Sequence, residues 1–87
     1  MMKSNPVLKK TILSVVDNQL RANNPPETKQ TYENLLKRGY SKNEAKRLIG
    51  CVVAAETFDI LKKEEPFNQE RFAANLNRLP EIPGEEE

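Results

Sequence analysis

Two carboxylates within an otherwise apolar segment are the residues of this chain best suited to chemistry. Glu56 and Asp59 lie one turn apart in the segment 41–63, and helical spacing projects both onto the same side as Ile49 and Val52. Such a pair can bind a hard cation or act as acid and base. The simpler expectation is a frayed helix end with both side chains solvated, because buried carboxylates are uncommon without partners.

A third polar side chain, Gln19, lies inside the apolar stripe of the first helical segment. If the first and third helices pack face to face, the Gln19 amide can donate to Glu56, which only accepts when ionised. The alternative to two solvated carboxylates is therefore a buried polar cluster of Gln19, Glu56 and Asp59.

The residue inventory argues against most small-enzyme and metal-protein chemistries. The chain has 87 residues, no histidine and one cysteine, so it lacks the commonest metal ligand and general base, as well as any intramolecular disulfide. Cys51 lies in an apolar run, where burial raises the pKa of a thiol, and we interpret it as a small core residue. We expect no catalytic residue, no metal and no cofactor.

The charges divide unevenly along the chain. Residues 1–50 hold ten lysines and arginines against four acidic residues, whereas residues 51–87 hold four against nine. Such asymmetry is typical of nucleic-acid surfaces and acidic tails, but two halves can also neutralise each other across a bundle. One basic corner between the second and third helices forms the candidate surface for nucleic acid or a partner: Lys37, Arg38, Lys42, Lys46 and Arg47.

Apolar periodicity and helix breakers predict an all-α fold, a small four-helix bundle-like domain with a long central third helix. The helices are expected at about 6–22, 26–38, 42–63 and 69–79 in one domain, residues 1–80, followed by a flexible acidic tail, residues 81–87. The third helix is apolar most of the way round and should be buried on several sides. Its apolar residues form one broad face (Ala45, Leu48, Ile49, Val52, Val53 and Ile60) and a second side (Cys51, Ala54, Phe58 and Leu61).

Inward positions on the other helices follow from the same periodicity. The first helix should use Leu8, Ile12, Val15, Val16 and Leu20, the second Thr28, Tyr32, Leu35 and Leu36, and the fourth Phe72, Leu76 and Leu79. Carboxylates interrupt the third helix well before the roughly 18 apolar residues that a membrane span needs. The N-terminal residues, MMKSNP, show no apolar signal core. We therefore expect a cytoplasmic protein with no membrane contact.

Local signals define the helix ends. Gly39 should adopt a left-handed conformation after the second helix, and Ser41 with Glu44 forms a capping-box pattern. Asn5, Asn24 and Asn68 are the other predicted caps, and Phe67 is placed to pack on Phe72. Gly50, inside a helix, predicts the close approach of another helix.

Two parts of the sequence resemble known protein families. Residues 35–49, LLKRGYSKNEAKRLI, look like a DNA-binding helix–turn–helix and like the first corner of ubiquitin-associated domains. A pattern covering about residues 8–80 resembles a small bacterial helical family of unknown function: Gln19, Asn24-Pro25-Pro26-Glu27, Leu35-Leu36, Gly39-Tyr40-Ser41, Glu44-Ala45 and Ile49. Members of that family often carry histidines in the first and third helices, where this chain has Lys9, Lys46 and Arg47. The resemblance implies the helical fold and no established activity.

These observations favour a non-enzymatic protein-interaction or structural module, whose partner is another protein or a second copy of the chain. Nucleic-acid binding through the basic corner is the first alternative. A small metal or acid–base site at Glu56 and Asp59 is the second.

Overall fold

A computed structural model describes residues 6–81, with side chains from residue 9 onward, and within this range the chain is all-α. The four helices are α1 (Pro6–Ala22), α2 (Pro26–Lys37), α3 (Lys42–Lys63) and α4 (Gln69–Asn77). The predicted fold class, a small all-α bundle, is confirmed. Helices α2 and α4 end one and two residues before the predicted positions. The predicted cap Asn5, the Leu8 side chain and residues 82–87 of the predicted tail lie outside the described residues.

Helix α3 is the centre of the bundle. It packs against α1, α2 and α4, while α2 also contacts α1 and α4. Burial of apolar side chains from all four helices supplies the main stabilisation. The buried apolar core comprises Val16, Leu35, Ala45, Ile49, Val52, Val53, Phe72, Leu76 and Leu79.

Left-handed residues end the first two helices. Gly39 has φ +101° and follows α2, where the Tyr40 N–H donates to the Leu35 carbonyl and the Gly39 N–H to the Leu36 carbonyl. This is the Schellman arrangement, and the predicted conformation of Gly39 is confirmed. Asn23, with φ 54°, has the same role after α1. The next cap differs from the expectation, because Pro25 rather than Asn24 occupies the N-cap of α2, with no side-chain hydrogen bond.

Side-chain caps begin α3 and α4 as predicted. The Ser41 N–H donates to Glu44 Oε1 at 2.9 Å, and the Glu44 N–H donates to Ser41 Oγ at 3.1 Å. Asn68 Oδ1 accepts from the Arg71 N–H at 2.9 Å. The Phe67 and Phe72 rings lie 5.6 Å apart between centroids, which confirms the predicted hydrophobic staple.

Gly50 lies where α1 packs closely on α3. A Cβ atom at this position would lie 3.2 Å from Ile12 Cγ2 and 3.8 Å from Leu13 Cδ2. Any larger residue would push the helices apart or force Ile12 to move, so the predicted reason for a glycine inside this helix is confirmed.

Three apolar side chains depart from the predicted burial. Val15 lies at the exposed edge of α1, and Phe58 and Leu61 on the second side of α3 are 61% and 74% exposed. The periodicity of α3 correctly grouped Phe58 and Leu61 on one side. However, α3 has 22 residues against 17 in α1, and within residues 6–81 no helix covers that side near its C-terminal end. None of the helices in the described part of the chain combines the length and apolarity that crossing a membrane requires.

Candidate functional site

Glu56 is buried and bonded at both carboxylate oxygens. Its side chain is on the face of α3 that packs against α4, and the residue is only 3% exposed. Arg71 donates from Nε to Oε1 and from Nη2 to Oε2, each at 2.9 Å, and the Asn68 N–H donates to Oε2 at 3.1 Å. The expectation of a solvated Glu56 is therefore wrong, since a bidentate guanidinium and a backbone amide stabilise the buried charge.

This environment keeps Glu56 ionised. The hydrogen bonds from Arg71 lower the pKa of Glu56, burial opposes them, and the Asn68 N–H adds to the lowering. The same pair raises the pKa of Arg71. At neutral pH the contact is an ion pair that joins α3 to the first turn of α4.

Arg71 is the centre of the polar cluster, and the sequence reasoning missed it. Glu65 lies 3.4 Å from Arg71 Nη1, and the charge of half-buried Asp59 contributes to the raised pKa of Arg71. One signal was present in the sequence. An arginine in the first turn of a helix opposes the helix dipole, so its presence indicates a specific acidic partner nearby. We call Glu56, Asp59, Glu65 and Arg71 the Arg71 cluster.

Gln19 does not belong to this cluster. Its Oε1 accepts a hydrogen bond from Thr28 Oγ1 at 2.9 Å, and Thr28 is fully buried on α2. The predicted pairing of Gln19 with Glu56 is therefore replaced by two separate contacts, Gln19 with Thr28 and Glu56 with Arg71. When two consecutive helices run antiparallel, residues at about the same distance before and after the connecting turn lie side by side. Gln19 and Thr28 are such a pair, one on each side of the turn between α1 and α2.

The contacts of the Arg71 cluster join α3 to the start of α4. The Glu56 oxygens face a guanidinium and an amide hydrogen, so a cation at the same oxygens would be repelled by Arg71. Among the described residues, no group of three or more His, Cys, Asp and Glu side chains is placed to hold a metal ion. Cys51 is half-buried and lies outside the buried apolar core, so its prediction as a small core residue is wrong. The arrangement supports a structural role for Glu56.

The basic corner is only partly available to a ligand. Lys46 Nζ pairs with Asp17 Oδ1 of α1 at 2.8 Å, and Arg38 Nη1 donates to the Leu79 carbonyl at 3.4 Å. Glu44, at the N-terminus of α3, lines a shallow groove together with Arg38, Gly39 and Tyr40. The Glu44 carboxylate accepts a hydrogen bond from the Ser41 N–H. It therefore occupies the N-terminal end of α3, where an anion such as a phosphate group would otherwise bind. Lys37, Lys42 and Arg47 are exposed.

A third surface is apolar. We define the outer stripe of α3 as Cys51, Ala54, Phe58 and Leu61, which follow one another at steps of three or four residues. Cys51 and Ala54 are half-buried, whereas Phe58 and Leu61 stand mostly in solvent. Lys62 Nζ lies 5.5 Å from the centroid of the Phe58 ring, a cation–π distance, and covers part of that ring. The stripe is a surface on which another apolar helix can pack.

Comparison with protein-family models, with curated proteins and with solved structures finds no match to the chain.

Proposed function

We propose that the chain is a non-enzymatic protein-interaction module, and that it binds through the outer stripe of α3. The observation that carries the proposal is the exposure of Phe58 and Leu61, 61% and 74%, on the central helix of the bundle. Single exposed apolar side chains are common on protein surfaces, but a contiguous apolar patch marks an interaction site more often.

The exposed area of this patch follows from its two most exposed side chains. Taking about 200 Å² for a fully exposed aromatic side chain, Phe58 and Leu61 together present roughly 250 Å² of mainly apolar surface to water. Ala54 and Cys51 extend the patch along the helix toward its N-terminus. Covering these side chains with a partner removes apolar area from water, which is the principal driving force of protein association.

The polar features support the same function because they hold the stripe in place. The ion pair between Glu56 and Arg71 joins α3 to α4, and the Lys46–Asp17 pair links α3 to α1. A rigid helix loses little conformational freedom on binding, so more of the interaction energy appears as affinity.

Thiol footprinting tests the proposal in the cell. Leu61→Cys, made in a Cys51→Ser background, places a reporter on the stripe, and Gln30→Cys in the same background places a matched reporter on an exposed part of α2. We expect the labelling rate of position 61 relative to that of position 30 to be several-fold lower in the native host than in the dilute purified protein. The comparison uses this ratio because cellular thiols slow the reagent at both positions alike. A ratio that is equal in both settings would contradict the proposal.

Nucleic-acid binding at the basic corner remains the second candidate. Exposed Lys37, Lys42 and Arg47 favour it, but Asp17 neutralises Lys46, and Glu44 places a negative charge among these residues. Titration of duplex DNA at low salt distinguishes the two functions. Binding that weakens steeply with salt, and that Lys42→Gln or Arg47→Gln reduces, supports this candidate.

A further inference from the structure

The outer stripe of α3 has the spacing of a coiled-coil seam. Arg47, Cys51, Ala54, Phe58 and Leu61 are separated by four, three, four and three residues. This alternation keeps one line of side chains facing a partner helix along several turns. All five side chains are exposed or half-buried, so the seam lies on the surface of the bundle.

We propose that the partner on this seam is the α3 helix of a second copy of the chain, packed antiparallel about a twofold axis. This inference rests on the proposed function and adds the identity of the partner. In a twofold interface both chains use the same patch. Each contact therefore occurs twice: if one residue of the first copy contacts a second residue of the other copy, the reverse contact is also present.

Side-chain size favours the antiparallel register. One alignment places Ala54 opposite Phe58 of the second copy and, at the same time, Cys51 opposite Leu61. Each large exposed side chain then covers a small one, and the twofold axis repeats both pairs. A parallel alignment would instead place Phe58 against Phe58 and Ala54 against Ala54, leaving one crowded layer beside an underfilled one.

Charge favours the same register. The alignment brings Arg47 beside the C-terminal end of the second copy's α3, where a cation is favourable. A parallel pair would instead place Arg47 beside Arg47, where like charges repel. Lys62, which lies over the Phe58 ring in the single chain, can move to the rim of the interface with its charge in water.

The available area sets the strength of this contact. Phe58 and Leu61 of two copies contribute roughly 500 Å² together, counting about 200 Å² for a fully exposed aromatic side chain. This apolar centre is less than half of the roughly 1,200 Å² at the lower end of stable interfaces. The dimer should therefore be weak and depend on protein concentration.

Sedimentation equilibrium of the purified chain, from about 10 µM to about 1 mM, tests the dimer. We expect the average mass to rise toward twice the monomer mass, Leu61→Glu to remain monomeric, and the charge-matched control Gln30→Glu to behave as the wild type. A wild type that stays monomeric to 1 mM, or a dimer that Leu61→Glu leaves intact, would overturn the inference. Slow labelling of position 61 in the host would still support the proposed function with a different partner.

Disulfide trapping tests the register. In the Leu61→Cys variant, which retains Cys51, mild oxidation should give an intermolecular disulfide between Cys51 of one copy and the thiol introduced at position 61 of the other. Peptide mapping under non-reducing conditions identifies this bond. The Gln30→Cys variant should give no disulfide to Cys51. If the only disulfide of Leu61→Cys joins position 61 to position 61, the antiparallel register is wrong.

Discussion

Removing the Glu56 carboxylate should be the most informative perturbation of the fold. Glu56 is 3% exposed and accepts three hydrogen bonds, two of them from the Arg71 guanidinium. Breaking a buried ion pair typically costs about 3–5 kcal/mol. Arg71 is partly exposed and can turn toward water, which reduces this cost. We expect Glu56→Gln to lower the free energy of unfolding by about 2–3 kcal/mol, and Tm by roughly 10–20 °C.

A double-mutant cycle identifies the partner of Glu56. Arg71→Met leaves a buried carboxylate without its counter-charge and should also destabilise the protein. The double variant should lose clearly less than the sum of the single losses, because the two substitutions remove one shared contact. Gln19→Leu is the control. Gln19 lies two residues after Asp17, which contacts Lys46 of α3. Glu56 is ten residues, or about 15 Å, further along α3 from Lys46. The loss of stability from Gln19→Leu should therefore simply add to the loss from Glu56→Gln.

The pH dependence supplies a second readout of the same pair. The hydrogen bonds from Arg71 hold the pKa of Glu56 below its ordinary value of 4.5. The stabilisation is therefore fully present above pH 4.5 and is lost as the pH falls through the lower folded-state pKa. Urea unfolding followed by circular dichroism should show wild type and Glu56→Gln converging in stability as the medium is acidified. A wild-type advantage below about 0.5 kcal/mol at pH 7 would refute the reasoning.

Three further predictions concern helix ends, each measured as a change in the free energy of unfolding. Gly39→Ala should destabilise by about 1 kcal/mol or more, because φ is +101° and strain rather than a clash opposes the side chain; an unchanged stability would contradict the Schellman ending of α2. Ser41→Ala should cost about 1 kcal/mol and couple with Glu44→Ala, whereas strict additivity would argue against the capping box. Glu64→Gly should stabilise by up to about 1 kcal/mol, because Glu64 ends α3 with φ 55°; a loss of stability would show that the Glu64 side chain makes a needed contact.

Much of the helical framework was readable from local sequence because its signals lie within a few residues of each other. The capping box joins residues 41 and 44, and the left-handed ending of α2 needs only Gly39 and the apolar residue after it. Such features depend on backbone geometry and short-range hydrogen bonds, which neighbouring residues determine.

The polar site depended on helix packing and was only half predicted. The sequence indicated that Glu56 is a polar residue on an apolar face, but the choice between Gln19 and Arg71 as its partner depends on which helix covers that face. The same limit applied to Phe58 and Leu61. Their spacing groups them on one side of α3, whereas their exposure follows from where the neighbouring helices end.

Photo-cross-linking from the outer stripe tests the central claim most directly. A photoreactive amino acid at position 61, compared with the same residue at position 30, reports which surface meets a partner in the native host. We predict a discrete covalent adduct from position 61 only, at twice the monomer mass if the partner is a second copy. No adduct from position 61, or equal adducts from both positions, would contradict the assignment of this stripe as the binding surface.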